Sequence, residues 1–415
     1  MYFSETDTLS FIEENDIKFI RLSFCDIFGN MKNIAIMPRE LDRALAYGIP
    51  VHSADMLEEK PQMLMLRPDT SSVSVLPWRP QSGRVVRFFC NLYQQDGSIY
   101  AGDLRRNLKA ATEKLWQKGF QCEMSTRCEF YLFKTDMEGN PTRIPFDNGG
   151  YLDIAPLDKC EDTRREICLS LEEMGLSPTS SCHKSGPGQN EIDFASSHPL
   201  TAADNMMHYK TVVKTIAARN GLYASFSPKP LPEEIGSALK IYISISREGK
   251  SVFGSSFDTI TDAGRSFVAG ILKRIPEFTS FMNPIVNSYE RFEAGCTTGE
   301  APVLRLCYTP GCEPMLEVCS ADAFCNPYLT FQLLLQAGMD GIEKGEVLSA
   351  TEQDMLLLHL PGSLREAMRL TAGSDFVREN VPQAAAENFL RQKQAQVEAY
   401  EAAEDPHEYC CKYYF

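Results

Sequence analysis

The chain opens on an alternation of apolar and polar residues. From Ile17 to Pro38 the two types trade places, and Gly29-Asn30 interrupts them as the turn of a hairpin should. Strand-like runs follow at Met63–Leu66, Val73–Pro77, Arg84–Tyr93 and Ser98–Tyr100, the last two turning at Asp96-Gly97. Only short helices are expected among them, for instance over Pro38–Tyr47, so residues 1–100 read as a small β-rich N-terminal domain. From Asp103 the period lengthens. Asp103–Lys118 reads as an amphipathic helix, with Asp103 as its cap and Gly119 past its end. Over residues 101–415 further helices are expected at Asp162–Met174, Ala202–Asn220, Asp262–Thr279, Pro327–Glu343 and Ala384–Ala403. Strands are expected at Thr126–Lys134, Asn190–Ala195, Tyr223–Ser227, Ala238–Ser246, Pro302–Tyr308 and Met315–Ser320. Val347–Leu364 has weak periodicity and reads as a surface excursion.

What these strands place on one face carries the chemistry. Arg127, Glu129 and Tyr131 alternate with Cys128, Phe130 and Leu132, while Lys240, Tyr242 and Ser244 alternate with Leu239, Ile241 and Ile243. Glu191 and Asp193 oppose Ile192 and Phe194, and Glu317 lies between Leu316 and Val318. The strands share an apolar back and a polar front. Such a front is either a solvated sheet face or the lining of a polar cavity inside a curved sheet.

Composition narrows the partners. With 43% apolar and 23% charged residues the chain is globular, and its net charge of −15 repels phosphate backbones and anionic membranes. No nucleic-acid or membrane partner is therefore expected. The 14 cysteines include no CxxC pair and histidines number six, so zinc-site spacing is absent and the thiols fit a reducing cytoplasm. The start, MYFSETDTLSF, does not read as a signal peptide, and no apolar stretch approaches the roughly 18 residues of a membrane span.

Several segments resemble, in order along nearly the whole chain, the glutamine synthetases of bacterial type. "VHSADM" with "LRPDTSSVSVLPW" resembles the close of that family's N-terminal domain, and "CEFYLF" its first catalytic strand. Gly150–Leu176, "CHKSGPGQNEIDF", "SPKPLPEEIGSALKIYIS", "NPIVNSYERF" and "NPYLTFQLLLQAGMDGIEKG" follow collinearly. The resemblance implies an α+β architecture: an N-terminal β-grasp domain, then a larger α/β domain with a curved antiparallel sheet. It further implies a homo-oligomer of two stacked hexameric rings, and joining of ammonia to glutamate with ATP held by Mg²⁺.

The resemblance also says which residues should hold magnesium. Glu129, Glu191 and Glu317 fall on three of the family's ligand positions. The other three are changed: Arg127-Cys128-Glu129 stands for E-x-E, Cys182-His183-Lys184 for H-H-E, and Gly236-Ser237-Ala238-Leu239-Lys240 for G-S-G-M-H. Three cations, Arg127, Lys184 and Lys240, thus join three carboxylates that they can neutralise. At ~4 Å and an effective dielectric near 20, each such unit-charge contact is worth about 4 kcal/mol before screening, and the same cations repel a divalent ion. The alternative is that these side chains swing into solvent. Other departures agree. The segment between Arg291 and Arg305 lacks the family's "PGYEAP" with its flap glutamate. Two of the arginines expected to hold glutamate fall on other residues, leaving Cys319 in one such place, while Arg291 and Arg305 remain. The loop His52-Ser53-Ala54-Asp55 keeps little of D-G-S-S, and the insertion that bears an adenylylation tyrosine in some members is curtailed between Glu343 and Pro361.

Lys229 and Ser244 are candidate nucleotide contacts, or else members of a turn and a local hydrogen bond. Gly186, Gly188 and Gly236 are read as serving backbone geometry, His183 as structural, and Cys128, Cys182 and Cys319 as packing residues. The expectation is a pseudoenzyme with a binding or regulatory role and no ATP, Mg²⁺ or other cofactor. The alternatives are a metal-independent enzyme that clamps a small amino-acid-like anion through Arg127, Lys184 and Lys240, and an ordinary glutamate–ammonia ligase.

Overall fold

A computed structural model describes residues 5–58, 60–79, 83–292, 303–348, 360–405 and 409–410. Helix α1 (Glu5–Glu14) precedes strands β1 (Ile17–Cys25) and β2 (Met31–Ile36), joined at Gly29, whose φ of +81° suits a residue without Cβ. Helix α2 (Leu41–Tyr47), β3 (Ile49–His52), α3 (Ala54–Leu57), β4 (Met63–Pro68), β5 (Ser74–Val75) and β6 (Arg84–Tyr93) complete this part. The sheet runs β2-β1-β6-β4-β3, with β1 parallel to β6 and the other pairings antiparallel. Ile20, Leu22, Leu64, Leu66, Val86 and Phe88 bury its apolar face completely.

Helix α4 (Leu104–Gln117) starts where the Asp103 side chain accepts the Arg106 N–H at 3.1 Å, and Leu104, Leu108, Ala111 and Leu115 form its buried stripe. Then come β7 (Phe120–Thr135), β8 (Pro141–Pro145), α5 (Glu161–Glu173), β9 (Pro178–His183), β10 (Gln189–Phe194), α6 (Pro199–Arg219) and β11 (Leu222–Ser225). They are followed by β12 (Leu239–Arg247), β13 (Lys250–Ser251), α7 (Asp262–Met282), α8 (Val286–Arg291), β14 (Leu304–Cys307), β15 (Met315–Val318) and α9 (Pro327–Lys344). Helices α10 (Leu364–Gly373), α11 (Asp375–Asn380) and α12 (Gln383–Glu401) end the described elements.

The second sheet is antiparallel throughout, in the order β14-β15-β12-β7-β10-β9, with β8 and β11 also on β7 and β13 on β12. Its expected apolar back is fully buried at Cys128, Phe130, Leu132, Ile192, Leu239, Ile241, Ile243, Leu316 and Val318. Helices α6, α7 and α9 contribute Val212, Phe267 and Leu333 to the same core.

Some expected boundaries move. β7 starts at Phe120 rather than Thr126, Val73–Pro77 pairs only at Ser74–Val75, and Ser98–Tyr100 forms no strand, just an isolated bridge from Ile99 to Tyr93. β8 and β9 escape periodicity because each opens on proline and shows largely exposed or half-exposed side chains, as edge strands do. Residues 349–359, in the excursion and the expected insertion, and 293–302, in the expected flap, lie outside the described residues.

A buried ionic knot closes the seam between the two parts. Arg105 donates to both Asp204 carboxylate oxygens at 2.9 and 2.8 Å and to Asp69 at 2.8 Å, and the Tyr328 hydroxyl donates to Asp204 at 2.7 Å.

Candidate functional site

Strand register assembles the polar front. Glu191 of β10 lies opposite Glu129 of β7, and Asp193 opposite Arg127. Lys240 of β12 pairs with Arg127 on the other side, Tyr242 with Glu317 of β15, and Glu317 with Arg305 of β14. Sequence-distant charges thus form one row across five strands. Lys184 enters from just beyond β9, fixed by its backbone N–H on the Gln189 carbonyl at 2.8 Å.

Lys184 occupies the centre. Its ammonium lies 3.1 Å from Glu191 Oε1 and 3.5 Å from Glu129 Oε1, and 5.5 Å from the Tyr151 ring centroid. Lys240 Nζ stands 3.8 Å from Glu191 Oε2, an oxygen with no hydrogen-bond partner among the described residues, while Glu129 Oε2 accepts the Ala238 N–H at 2.8 Å. Burial opposes the Lys184 charge, but Glu129 and Glu191 outweigh it and raise its pKa above the usual lysine value. Burial raises the Glu129 pKa against the pull of Lys240 and Lys184.

The remaining charges choose other partners. Arg127 turns its Nε to Asp193 Oδ2 at 3.3 Å and lays its guanidinium 4.9 Å from the Tyr242 ring centroid, with about half its side chain exposed. Glu317, fully buried, accepts the Tyr242 hydroxyl at 2.7 Å and Arg305 Nε at 2.6 Å. Burial would raise its pKa, yet Tyr242 and Arg305 hold it below the ordinary glutamate value. Of the three substituted cations, Lys184 and Lys240 therefore reach retained glutamates, Glu129 and Glu191, whereas Arg127 does not. Arg127 neutralises Asp193, which the three-to-three charge balance left out, and Arg305 serves Glu317.

Magnesium does not fit this donor set. It needs near-octahedral oxygens at about 2.1 Å, whereas an ammonium already fills the point where Glu129 and Glu191 converge, with Lys240 beside it.

Arg291 is the other notable cation. It is 1% exposed and donates through Nη2 to Asn283 Oδ1 at 3.1 Å and to the Ser320 carbonyl at 2.5 Å, but Nε and Nη1 have no hydrogen-bond partner among the described residues. A Cβ at Gly236 would stand 2.7 Å from Arg291 Cγ, which explains that glycine by close packing. Gly186 likewise clears the Tyr131 hydroxyl, and Gly188 takes a φ of +69°. Lys229 is spent locally: its ammonium donates to the Glu234 carbonyl and its backbone N–H to Asn287 Oδ1 at 2.8 Å. Ser244 sits on β12 opposite Glu123, two turns of the pleat beyond Lys240. Burial pushes the Cys128, Cys182 and Cys319 thiols up, away from the nucleophilic thiolate.

Beneath the front, spacing gave no sign of a second cluster. His183, fully buried, directs Nε2 to Asp147 Oδ1 at 2.9 Å and Nδ1 to the Lys184 carbonyl at 2.7 Å. Both ring nitrogens face acceptors, an arrangement that favours the imidazolium over either neutral tautomer. Asp147, Asp158 and Cys160 have metal-like spacing. Their donors are spent, however: Asp147 on the Gly149, Gly188 and Lys159 amides, and Asp158 on Arg164 and the Cys160 amide.

The pair sets a pH dependence. Burial depresses the His183 pKa, but the bonds to Asp147 and the Lys184 carbonyl win and raise it above 6.5; Asp147 is correspondingly depressed despite its burial. The histidine contribution is fully present below about pH 6.5 and is lost as pH rises through the higher folded value. The aspartate contribution is lost only in strong acid. A His183→Gln variant will therefore melt well below the wild type at about pH 6, and the gap will narrow toward about pH 9. A gap independent of pH would refute the imidazolium.

Known proteins place this arrangement. Residues 16–95 match the family described as "Glutamine synthetase, beta-Grasp domain", and residues 101–413 match "Glutamine synthetase, catalytic domain". The chain belongs to the glutamine synthetase family. A relative named glutamine synthetase from Clostridium saccharobutylicum is 36% identical over 429 residues, covering 96% of each chain. Another of that name, from Methanosarcina mazei, is 36% identical over 438 residues, covering 98% of this chain and 96% of the relative. Among solved structures, a "GmaS/ADP complex" superposes with a TM-score of 0.85 at 25% identity, covering 97% of this chain and 98% of that one. A "novel glutamine synthase homolog" superposes at 0.83 with 19% identity and supports the fold alone. The β-grasp domain, the mixed helix-and-sheet second domain and its curled sheet all agree with this membership.

Proposed function

We propose that this member of the glutamine synthetase family has exchanged metal-dependent ligase chemistry for a binding or regulatory role. One observation carries the reading: the Lys184 ammonium lies between Glu129 and Glu191, at 3.5 and 3.1 Å. Phosphoryl transfer in this family relies on divalent ions to neutralise developing charge. Here the retained carboxylates already have a tethered cation, and a second, Lys240, adds repulsion. Relatives named glutamine synthetase share the frame; the exchange concerns the pocket.

A second reading has its own support. Arg291 is buried with Nε and Nη1 unanswered among the described residues, and a carboxylate is the acceptor that a guanidinium binds best. On this reading the pocket still receives an amino-acid-like or dicarboxylate anion, with or without metal-free chemistry on it. Assembly into stacked hexameric rings and residence in the cytoplasm belong to the same proposal. No described helix is long and apolar enough to cross a membrane, and the net charge disfavours nucleic acid.

The test is ATP hydrolysis with glutamate and ammonium, titrated with Mg²⁺ and Mn²⁺. The expected result is no turnover above background at any metal concentration. Robust metal-dependent turnover overturns both readings. A thermal-shift series of amino acids and dicarboxylates then separates them: stabilisation lost in Arg291→Lys favours the anion pocket.

A further inference from the structure

A cleft away from the charged row has the features of a ligand site. It encloses about 320 Å³ where the β1–β2 turn, helix α6 and residues 323–324 meet. Phe28, Phe226 and Phe324 line it with Met31 and Met207, and Lys210 and Lys214 are the charged side chains among its described lining residues. A lining that, among the described residues, has two lysines and no carboxylate is unexpected in a chain with 56 acidic residues against 41 basic.

The two ammonium groups differ in what they lack. Lys210 donates to the Gly29 carbonyl at 3.2 Å and the Ala323 carbonyl at 3.1 Å, which leaves one N–H free and no compensating charge on either acceptor. Lys214, one helical turn further along α6, has no hydrogen-bond or ion-pair partner among the described residues. Its ammonium stands 6.0 Å from the Phe226 ring centroid. Crowding by surrounding atoms and repulsion from Lys210 lower its pKa. The acids nearest in sequence to the lining segments, Asp26 and Asp322, do not line the cleft. Asp26 accepts from the Phe28 and Asn30 amides and stands 3.5 Å from Lys32, while Asp322 accepts from the Phe324 amide and feels the Lys210 charge only at longer range.

We propose that this cleft binds a small organic anion, a carboxylate or phosphate group carried on a flat apolar body. The anionic group would sit between Lys210 and Lys214, and the apolar body against the phenylalanines and methionines, as in other small-molecule clefts with a few placed polar groups. Because Lys210 joins the β1–β2 turn to residue 323, an occupant is held by both parts of the molecule. The site is independent of the charged row and of the role proposed for it.

Isothermal titration of the full-length protein with phenylpyruvate, phenyl phosphate, inorganic phosphate and neutral phenylacetamide tests the proposal. One of the two aromatic anions binds, identifying the anionic group, while phenylacetamide and inorganic phosphate bind at least about tenfold more weakly. Lys214→Gln weakens that binding by about tenfold and Lys214→Glu abolishes it, whereas Lys240→Gln, in the charged row, leaves it unchanged. Lys214 is exposed, so both variants keep the fold. The proposal is overturned if neither aromatic anion binds, if the neutral probe binds as well, if Lys214→Glu binds like the wild type, or if Lys240→Gln removes the binding.

Discussion

Replacing Lys184 by alanine will destabilise the protein by about 3 kcal/mol, the low end of what removing one partner from a buried ion pair costs. The side chains of Lys184, Glu129 and Glu191 are only 14%, 10% and 7% exposed, so the two carboxylates cannot recover full hydration. Lys240, 3.8 Å from Glu191, softens the loss without replacing the missing bridge. The same variant will gain what the wild type lacks. With the ammonium gone, Glu129 and Glu191 face an empty point, and millimolar Mn²⁺ or Mg²⁺ will raise its melting temperature through binding to the folded state. The wild type will not respond. Denaturant unfolding and thermal melts with and without metal measure both effects. An unchanged stability, or equal metal response in the two proteins, would remove Lys184 from the centre of the site.

Arg105→Met will be at least as damaging, by about 3–5 kcal/mol, because it strands two carboxylates. Burial works against the Arg105 charge, but Asp204 overcomes it and raises the arginine pKa still further. Asp204 would keep the Tyr328 hydroxyl, while Asp69 would keep the Ser71 amide and hydroxyl. Since the knot ties the first sheet's domain to α4, α6 and α9, urea unfolding of the variant will separate into two transitions. A single transition at the wild-type midpoint would show that apolar packing alone holds the seam.

Where one residue type repeats with a clear period, the fold could be read in advance. Cys128, Phe130 and Leu132 announced a buried face, and Arg127, Glu129 and Tyr131 its opposite. Edge strands such as Pro178–His183 were illegible because nothing buries one side of them strongly. Partner choice was illegible for a different reason. Glu317 meets Arg305 through the β14–β15 register, and Arg127 meets Asp193 through β7–β10; neither register is encoded in local spacing. His183 and Asp147 are 36 residues apart and Arg105 and Asp204 are 99 apart, so only the folded chain brings them together.

A cation attached to the backbone by four methylenes obeys no mass action. Chelators cannot strip it, starvation for minerals cannot deplete it, and manganese cannot substitute for magnesium in it. If, as proposed, Lys184 stands where the family holds a metal, the state of this centre is uncoupled from the cell's inorganic ion supply and changes only when Lys184 itself moves or is chemically modified.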